Sequence, residues 1–415
     1  MIILNARTIP LVEKGLGLVR EIGKHGYDAL LAGGCVRDLV RWELGLEKHP
    51  GIHDVDIATN MPIDELRKAF RCESNNGEAH GTILVEWKNT MFEVTQFRKD
   101  GDYTDGRHPD SVEWAGSFEE DSARRDFTAN AMGLDGDYRV VDYHGGVDSI
   151  MKNHLRTVGD ATERFTEDAL RIVRMCRFAA RFGMEIDVAT LNAARVLAPR
   201  LANISKERIH DELAKCAEYG VQQVAAMLGW MASWDIGKGT GLDIDWDFAR
   251  QCLARLATVC SGIGSDVQWK PEYLFPLILP DKYAMERLKC TREDARNVEY
   301  VTEKFKKYLS GTLDLVDLVD LVTDDRWELF RAYVFSRQGY LVISRTDEIK
   351  LREHAAQWPT MKDMTKALLD AGVKQGKEFG HTLRKLRLAV YRHRKDNRKM
   401  TREWFDKLVG EIKAG

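Results

Sequence analysis

The chain has no apolar run approaching the ~18 residues needed to span a bilayer, and its opening "MIILNARTIP" lacks the basic start and long apolar core of a secretion signal. A membrane protein and a secreted one are therefore not expected. The seven cysteines (Cys35, Cys72, Cys176, Cys216, Cys252, Cys260 and Cys290) are scattered, odd in number and never in C-x-x-C spacing. That pattern excludes a disulfide framework and a zinc ribbon, and predicts reduced, mostly buried thiols in a cytoplasmic protein. Neither G-x-G-x-x-G nor G-x-x-x-x-G-K-[ST] occurs, so neither a dinucleotide fold nor a P-loop is supported. Repeats and low-complexity tracts are absent. A formal net charge of -3 does not announce a polyanion partner through its total.

The chain holds 415 residues, 44% hydrophobic and 31% charged, which suits a soluble protein of two to four structural units. Up to about residue 143, short β-like runs ("DALLAGG", "DVDIAT", "GTILVEW", "MFEVTQF", "RVVDY") alternate with helical ones. From about Thr162 onward the period becomes that of amphipathic helices, such as "EDALRIVRMCRFAARFG" and "ISKERIHDELAKCAEYG". The expectation is an α+β protein with a mixed-sheet head and an all-helical remainder, jointed near 236–243, 261–271 and 308–312. Its one densely basic stretch, "RKLRLAVYRHRKDNRK" from Arg384 to Lys399, is either a phosphate-binding surface or the solvated face of a helix.

Within the head, "HDVDIATN" places Asp54 and Asp56 two positions apart. A strand would point both to one face, with Cα atoms about 6.6 Å apart, while Val55 and Ile57 cover the other. Like charges at that spacing suit a hard divalent cation; the alternative is a solvated Asp-x-Asp at a strand end. Upstream, "LLAGGCVRDLV" reads as a strand, a Gly33-Gly34 turn and a helix beginning near Val36, a geometry whose free N–H groups receive phosphate, with Arg37 one turn in. A phosphate cradle beside an ion site suggests nucleotidyl or phosphoryl transfer. Glu93 in "MFEVTQFR" is the candidate third carboxylate, with Glu86 its competitor.

Taken together, "GGCVRD", "DVDIAT", "HGTILVEW", "EVTQFRKDGDYTDGRHPDSVEW", "RRDFTANAM", "VGDATERFTEDALRIVRMCRFAARFG" and "ISKERIHDEL" resemble, in family order from about residue 28 to 215, the class II tRNA nucleotidyltransferases and their bacterial poly(A) polymerase relatives. Weaker similarity continues in "GVKQGKEFGHTLRKL". The resemblance implies a polymerase-beta-like nucleotidyltransferase head over 1–143, a base-reading neck over 144–217, a helical body over 218–307 and a tRNA-binding tail over 308–415. It further implies template-independent, Mg2+-dependent addition of C, C and A from CTP and ATP to the 3' end of tRNA, with no obligate protein partner. Asp54 and Asp56 would hold Mg2+, with Glu93 completing the catalytic acids. Gly33, Gly34 and Arg37 would contact the triphosphate, Arg125 the phosphates or ribose, and Asp126 the ribose 2'-OH.

In "EDALRIVRMCRF", Asp168 and Arg171 stand at i and i+3 on one side of a helix. One acceptor and two donors match the edges of cytosine and adenine, whereas uracil and guanine would leave groups unpaired at about 1–3 kcal/mol each. Arg174 and Arg177 continue at steps of three toward the triphosphate. The Gly-, Asp- and Tyr-rich segment Arg98 to Pro109 reads as a mobile loop, whose presence in the resembling family goes with full CCA or A addition. A poly(A) polymerase, whose basic-aromatic insert is missing here, and a non-catalytic RNA-binding protein of the same fold are the rival readings. His210-Asp211 resembles part of an HD phosphohydrolase site but fits an ordinary helix. The spacer between Asp38 and Asp54 is longer than the family pattern, which predicts a local bulge beside the metal site. With a tRNA substrate in view, Arg384, Lys385, Arg387, Arg392, Arg394 and Lys395 become expected RNA contacts.

Overall fold

A computed structural model describes residues 2–4, 8–49, 51–74, 78, 81–100, 112–242, 244–260, 269–279, 288–338, 345–357, 359–395 and 400–414. The chain divides into two compact units, residues 1–219 with 226–246, and residues 220–225 with 247–415.

In the first unit the strands are β1 (Ala29–Ala32), β2 (Asp56–Thr59), β3 (Cys72–Glu73), β4 (Thr82–Trp87), β5 (Thr90–Gln96), β6 (Arg98–Asp100), β7 (Val112–Trp114), β8 (Gly133–Leu134), β9 (Val140–Val141), β10 (His154–Leu155) and β11 (Glu185–Ile186). Its principal helices are α1 (Pro10–Lys24), α2 (Gly34–Glu43), α3 (Ile63–Ala69), α4 (Phe118–Ala123), α5 (Gly146–Met151), α6 (Ala161–Glu167), α7 (Leu170–Phe182), α8 (Val188–Leu197) and α9 (Lys206–Ala217). Seven strands make one mixed sheet in the order β3-β4-β5-β2-β1-β8-β9. Only β2 and β5 run parallel within it, and their register sets Asp56 beside Glu93. The β4–β5 hairpin closes through Lys88 and Asn89, both at positive φ (48° and 58°). Two consecutive left-handed residues match the twist of a two-residue hairpin, and Asn tolerates that region well.

The period-2 alternation read in the sequence decides what each face of the sheet carries. Leu31, Val55, Ile57, Phe92 and Val94 enter a core shared with α1 and α2. Leu31, Ile57 and Val94 are wholly buried, worth about 2 kcal/mol each relative to exposure. Leu30, Ala32 and Ala58 point the other way into a smaller cluster with Phe97 and Phe118. This second face is lined by small side chains, leaving room above Asp56 and Glu93.

The sequence expectations need four corrections here. Strand β2 begins at Asp56, so Asp54 lies just before it, its Oδ1 accepting from the Val55 N–H at 2.9 Å. Helix α2 starts at Gly34, two residues earlier than expected, because Gly33 (φ 75°) makes the turn by itself. The helical neck contains a short parallel pair, β10 with β11. "EDALRIVRMCRF" is not one helix: α6 ends at Glu167, Asp168 is extended (φ -143°, ψ 103°), and α7 starts at Leu170. Asp168 Oδ1 accepts from the Leu170 N–H at 3.0 Å, the local bond by which an aspartate favours a helix start over a helix interior. Gly183 (φ 64°) then ends α7 in the left-handed conformation.

In the second unit the regular elements among the described residues are all helices. Helices Arg292–Leu309, Leu315–Thr323 and Met361–Asp370 each begin with a reciprocal capping box, through Thr291 and Asp294, Asp314 and Asp317, and Thr360 and Asp363. All seven cysteines are free, with Cys35, Cys176, Cys216 and Cys252 buried. Among the described residues no helix is long and apolar enough to cross a membrane.

Candidate active site

A cleft of about 480 Å³ opens over the acidic face of the sheet. The lining includes Gly33 and Gly34 at the start of α2, Asp56 and Glu93 on the neighbouring strands, and Arg124, Arg125 and Asn130 from the segment after α4. From the helical neck come Asp168, Arg171, Arg174 and Arg208. The cleft therefore brings carboxylates and guanidinium groups together from the sheet and the neck.

The acids are coupled. Desolvation in the cleft, then the charges of Asp54 and Glu93, push Asp56 up from 3.8 to about 6, with Arg125 pulling the other way. Register decides between the two glutamates: Glu93 lies directly beside Asp56, whereas Glu86 sits two strands away on β4 and pairs with Arg71 at 3.0 Å. Residue types fit a hard divalent cation, which Mg2+ meets through one or two carboxylates plus substrate phosphates and water. No set of three or more His, Cys, Asp or Glu side chains forms a ready metal cage among the described residues. Substrate oxygens would have to complete the coordination.

At the start of α2, no side chain caps the helix and no acidic residue occupies its first turn. Those first N–H groups are the ones an α-helix cannot satisfy internally. A Cβ at Gly33 would lie 3.4 Å from Arg125 Nη1 and 3.8 Å from Asp56 Oδ2, on a backbone that L side chains avoid. Glycine here keeps the carboxylate, the guanidinium and the helix end at one place.

Arg37 is not among the cleft-lining residues. It is buried, its Nε and Nη2 on Asp38 and its Nη1 on Asn130 Oδ1 at 2.7 Å, with Phe178 and Phe182 against its plane. Arg177 is likewise buried, donating from Nε to Glu212 at 2.5 Å. Arg174 lines the cleft, yet its Nε and Nη2 both bind Asp126 Oδ2, at 2.9 and 2.7 Å. Asp126 Oδ1 accepts from Phe127 N and Asn130 Nδ2. Asp126 lines the cleft as well, but four accepted bonds fill a carboxylate's acceptor positions, so in this conformation it has none for a ribose hydroxyl. Burial alone would raise its pKa, but Arg174 and the hydrogen bonds hold it down at about 2.

Asn130, overlooked in the sequence, links these groups. It receives Arg37 on its side-chain oxygen, donates to Asp126, and its carbonyl lies 3.5 Å from Arg125 Nη1. An Asn in "RRDFTANA" gives no such signal, because its partners are 93 residues upstream and 4 residues before it. Asn130→Ala strands a buried guanidinium edge and is expected to lower stability by about 1–3 kcal/mol, read as a lower urea midpoint. Arg208 is the second residue not anticipated: both its terminal nitrogens bind Asp168, at 3.2 and 2.7 Å. Arg171 donates to Glu167 at 2.6 Å and to the carbonyls of Arg164 and Arg124.

Of the basic stretch near the C-terminus, Arg384 binds Asp314 and Asp317, Arg387 binds Asp320, and Arg394 donates to the carbonyls of Gln357 and Pro359. These three bind neighbouring segments of the second unit, and Arg384 keeps 42% of its side chain exposed. Lys385 and Arg392 are exposed. The side chain of Lys395, residues 396–399 and most of the loop between β6 and β7 (101–111) lie outside the described residues. His210 sits 3.2 Å from Asp211 on α9.

Residues 29–156 match the family described as poly A polymerase head domain, and residues 183–220 that described as probable RNA and SrmB-binding site of polymerase A. The CCA-adding enzyme of Geobacillus thermodenitrificans is 38% identical over 286 residues, covering 66% of this chain and 68% of the relative. That of Geobacillus kaustophilus is 43% identical over 206 residues, 50% of this chain and 49% of the relative, so the chain spans only about half of that protein's length. Among solved structures, the Bacillus stearothermophilus CCA-adding enzyme in complex with CTP superposes with a TM-score of 0.69 at 26% identity, over 98% of both chains.

Proposed function

The chain belongs to the CCA-adding enzymes, which share their head domain with bacterial poly(A) polymerases, and from that premise we propose that it adds C, C and A to the 3' end of tRNA from CTP and ATP. The observation that carries this reading is the pairing of Asp56 with Glu93 across β2 and β5, in one cleft with the open end of α2 and the Asp168–Arg171 pair. Nucleotidyltransferases of this kind depend on a metal ion. Asp54 and Asp56 are the residues that would hold Mg2+, with Glu93 alongside. Bound there, it would supply charge neutralisation on the triphosphate and lower the barrier to losing the hydroxyl proton.

The chain's own groups do the rest. Unpaired N–H groups at Gly34 and the following residues receive phosphate oxygens, and Arg125 adds a guanidinium beside them. Arg125 Nε is buried and has no hydrogen-bond partner among the described residues. In the neck, Asp168 offers an acceptor and Arg171 donors to the base edge. This reading assigns 1–143 to catalysis, 144–217 to base selection, and 218–307 and 308–415 to holding tRNA. A cytoplasmic location follows for an enzyme acting on tRNA with buried, reduced thiols.

Purified protein incubated with tRNA lacking its last three nucleotides, Mg2+, and each NTP singly or in pairs tests the proposal. Two additions from CTP alone and a third only with ATP support it. Long A tails from ATP alone would favour a poly(A) polymerase, and tRNA binding without incorporation would favour a non-catalytic protein. For the tail, Lys385→Ala with Arg392→Ala is expected to weaken tRNA binding and shallow its salt dependence by about two charges. Arg387→Ala should lower the melting temperature with that salt slope unchanged.

A further inference from the structure

The acceptor that is to read the base is itself held. Asp168 Oδ1 takes the Leu170 N–H at 3.0 Å and Arg208 Nη1 at 3.2 Å, while Oδ2 takes Arg208 Nη2 at 2.7 Å. A carboxylate has about four acceptor positions, so three accepted bonds leave one, on Oδ2. Arg171 is restricted in the same manner. Both protons of Nη1 go to Glu167 and the Arg164 carbonyl, and one of Nη2 goes to the Arg124 carbonyl. What remains among the described residues is Nε–H with the second Nη2–H, the parallel fork of the guanidinium.

We propose that Arg208 is a specificity-determining positioning residue: by gripping both oxygens of Asp168 it leaves a single acceptor, in a fixed orientation, for the exocyclic amino group of an incoming cytosine or adenine. The inference rests on the nucleotidyltransferase reading above. One acceptor and two parallel donors complement the amino group and ring acceptors of cytosine, and the amino group and ring nitrogen of adenine. Uracil and guanine instead bring a carbonyl to the acceptor and an N–H to the donors. A carboxylate without the grip turns about its terminal torsion and can meet that N–H, so the two wrong bases gain a partner. The grip comes from α9, a different element from the one that carries Asp168, and Arg208 lines the same cleft. Its partner is mostly shielded, with side-chain exposures of 15% for Asp168 and 24% for Arg208.

The test measures kcat/KM for CTP, ATP, UTP and GTP on trimmed tRNA with the full-length wild type, Arg208→Gln and Arg208→Lys. A wild type that shows no preference for CTP and ATP overturns the underlying reading, independently of Arg208. Given that preference, Arg208→Gln is expected to reduce the CTP-over-UTP ratio at least about tenfold, equal to ~1.4 kcal/mol, in part through a gain with UTP. Arg208→Lys, a point charge that cannot span both oxygens, should lose about threefold. A plain inter-helix ion pair would instead lower the melting temperature and depress all four substrates alike. An unchanged ratio in Arg208→Gln, or in Arg208→Lys and Arg208→Gln equally, overturns the proposal.

Discussion

With Asp56→Ala, incorporation of CMP into trimmed tRNA is expected to fall at least about a thousandfold while tRNA affinity stays within about twofold. Asp56 stands at the junction of β2 and β5 with Glu93 beside it, and no other carboxylate lies in that register. Gel-based incorporation and filter binding on one preparation separate the two effects. A loss of binding as large as the loss of turnover would count against the assignment. The raised pKa gives a second readout in metal-free protein. Burial in the cleft and the charges of Asp54 and Glu93 push the folded Asp56 up to about 6 from the ordinary 3.8, so the native state holds the proton more tightly than the unfolded chain. The stabilisation from that proton is fully present below about pH 4 and is lost as pH rises through about 6. Asp56→Asn should therefore melt higher than wild type in EDTA at neutral pH, the gap closing on acidification. An inactive variant more stable than its parent is not what damage to the fold would produce.

Asp126→Asn is expected to have the largest effect on stability. The wild-type carboxylate accepts two bonds from Arg174 and one from Asn130, and an amide leaves a largely enclosed guanidinium with the longer contact to Glu212, at 3.5 Å, as its remaining ion pair. Breaking such a pair costs about 3 kcal/mol when buried, and the partial exposure of Arg174, 31% of its side chain, brings the expectation nearer to ~2 kcal/mol. Since the folded pKa is depressed to about 2 from 3.8, this contribution is complete above about pH 4 and is lost as pH falls toward 2. Wild type and variant should converge over that window in urea unfolding. A constant difference at every pH would show that the charge is not the cause.

Much of the head was legible because its signals are local. Alternation put Val55 and Ile57 in the core and Asp56 on the opposite face, and a Gly pair before an amphipathic run marked the start of α2 within two residues. Partner choice was not legible. Nothing in "GGCVRD" says that Arg37 turns away from the cleft to Asp38 and Asn130, since a guanidinium suits phosphate and carboxylate equally. "EDALRIVRMCRF" has unbroken helical periodicity, and the interruption at Asp168 comes from a side-chain bond to the Leu170 N–H that competes with helix continuation. The ion pairs of the basic run near the C-terminus were hidden for a related reason. Asp314, Asp317 and Asp320, which bind Arg384 and Arg387, lie about seventy residues earlier, and such pairing leaves no mark on local composition.

One feature of the first unit bears on how such enzymes can be recombined. Arg181, Asp38, Arg37, Asn130, Asp126, Arg174, Glu212 and Arg177 form a continuous series of bonded neighbours drawn from four separate stretches of sequence. A hybrid that replaced one of these stretches with a segment lacking its charged member would leave the bonded partners on the other stretches unpaired. A replaced stretch therefore has to keep its charged members for the series to stay bonded.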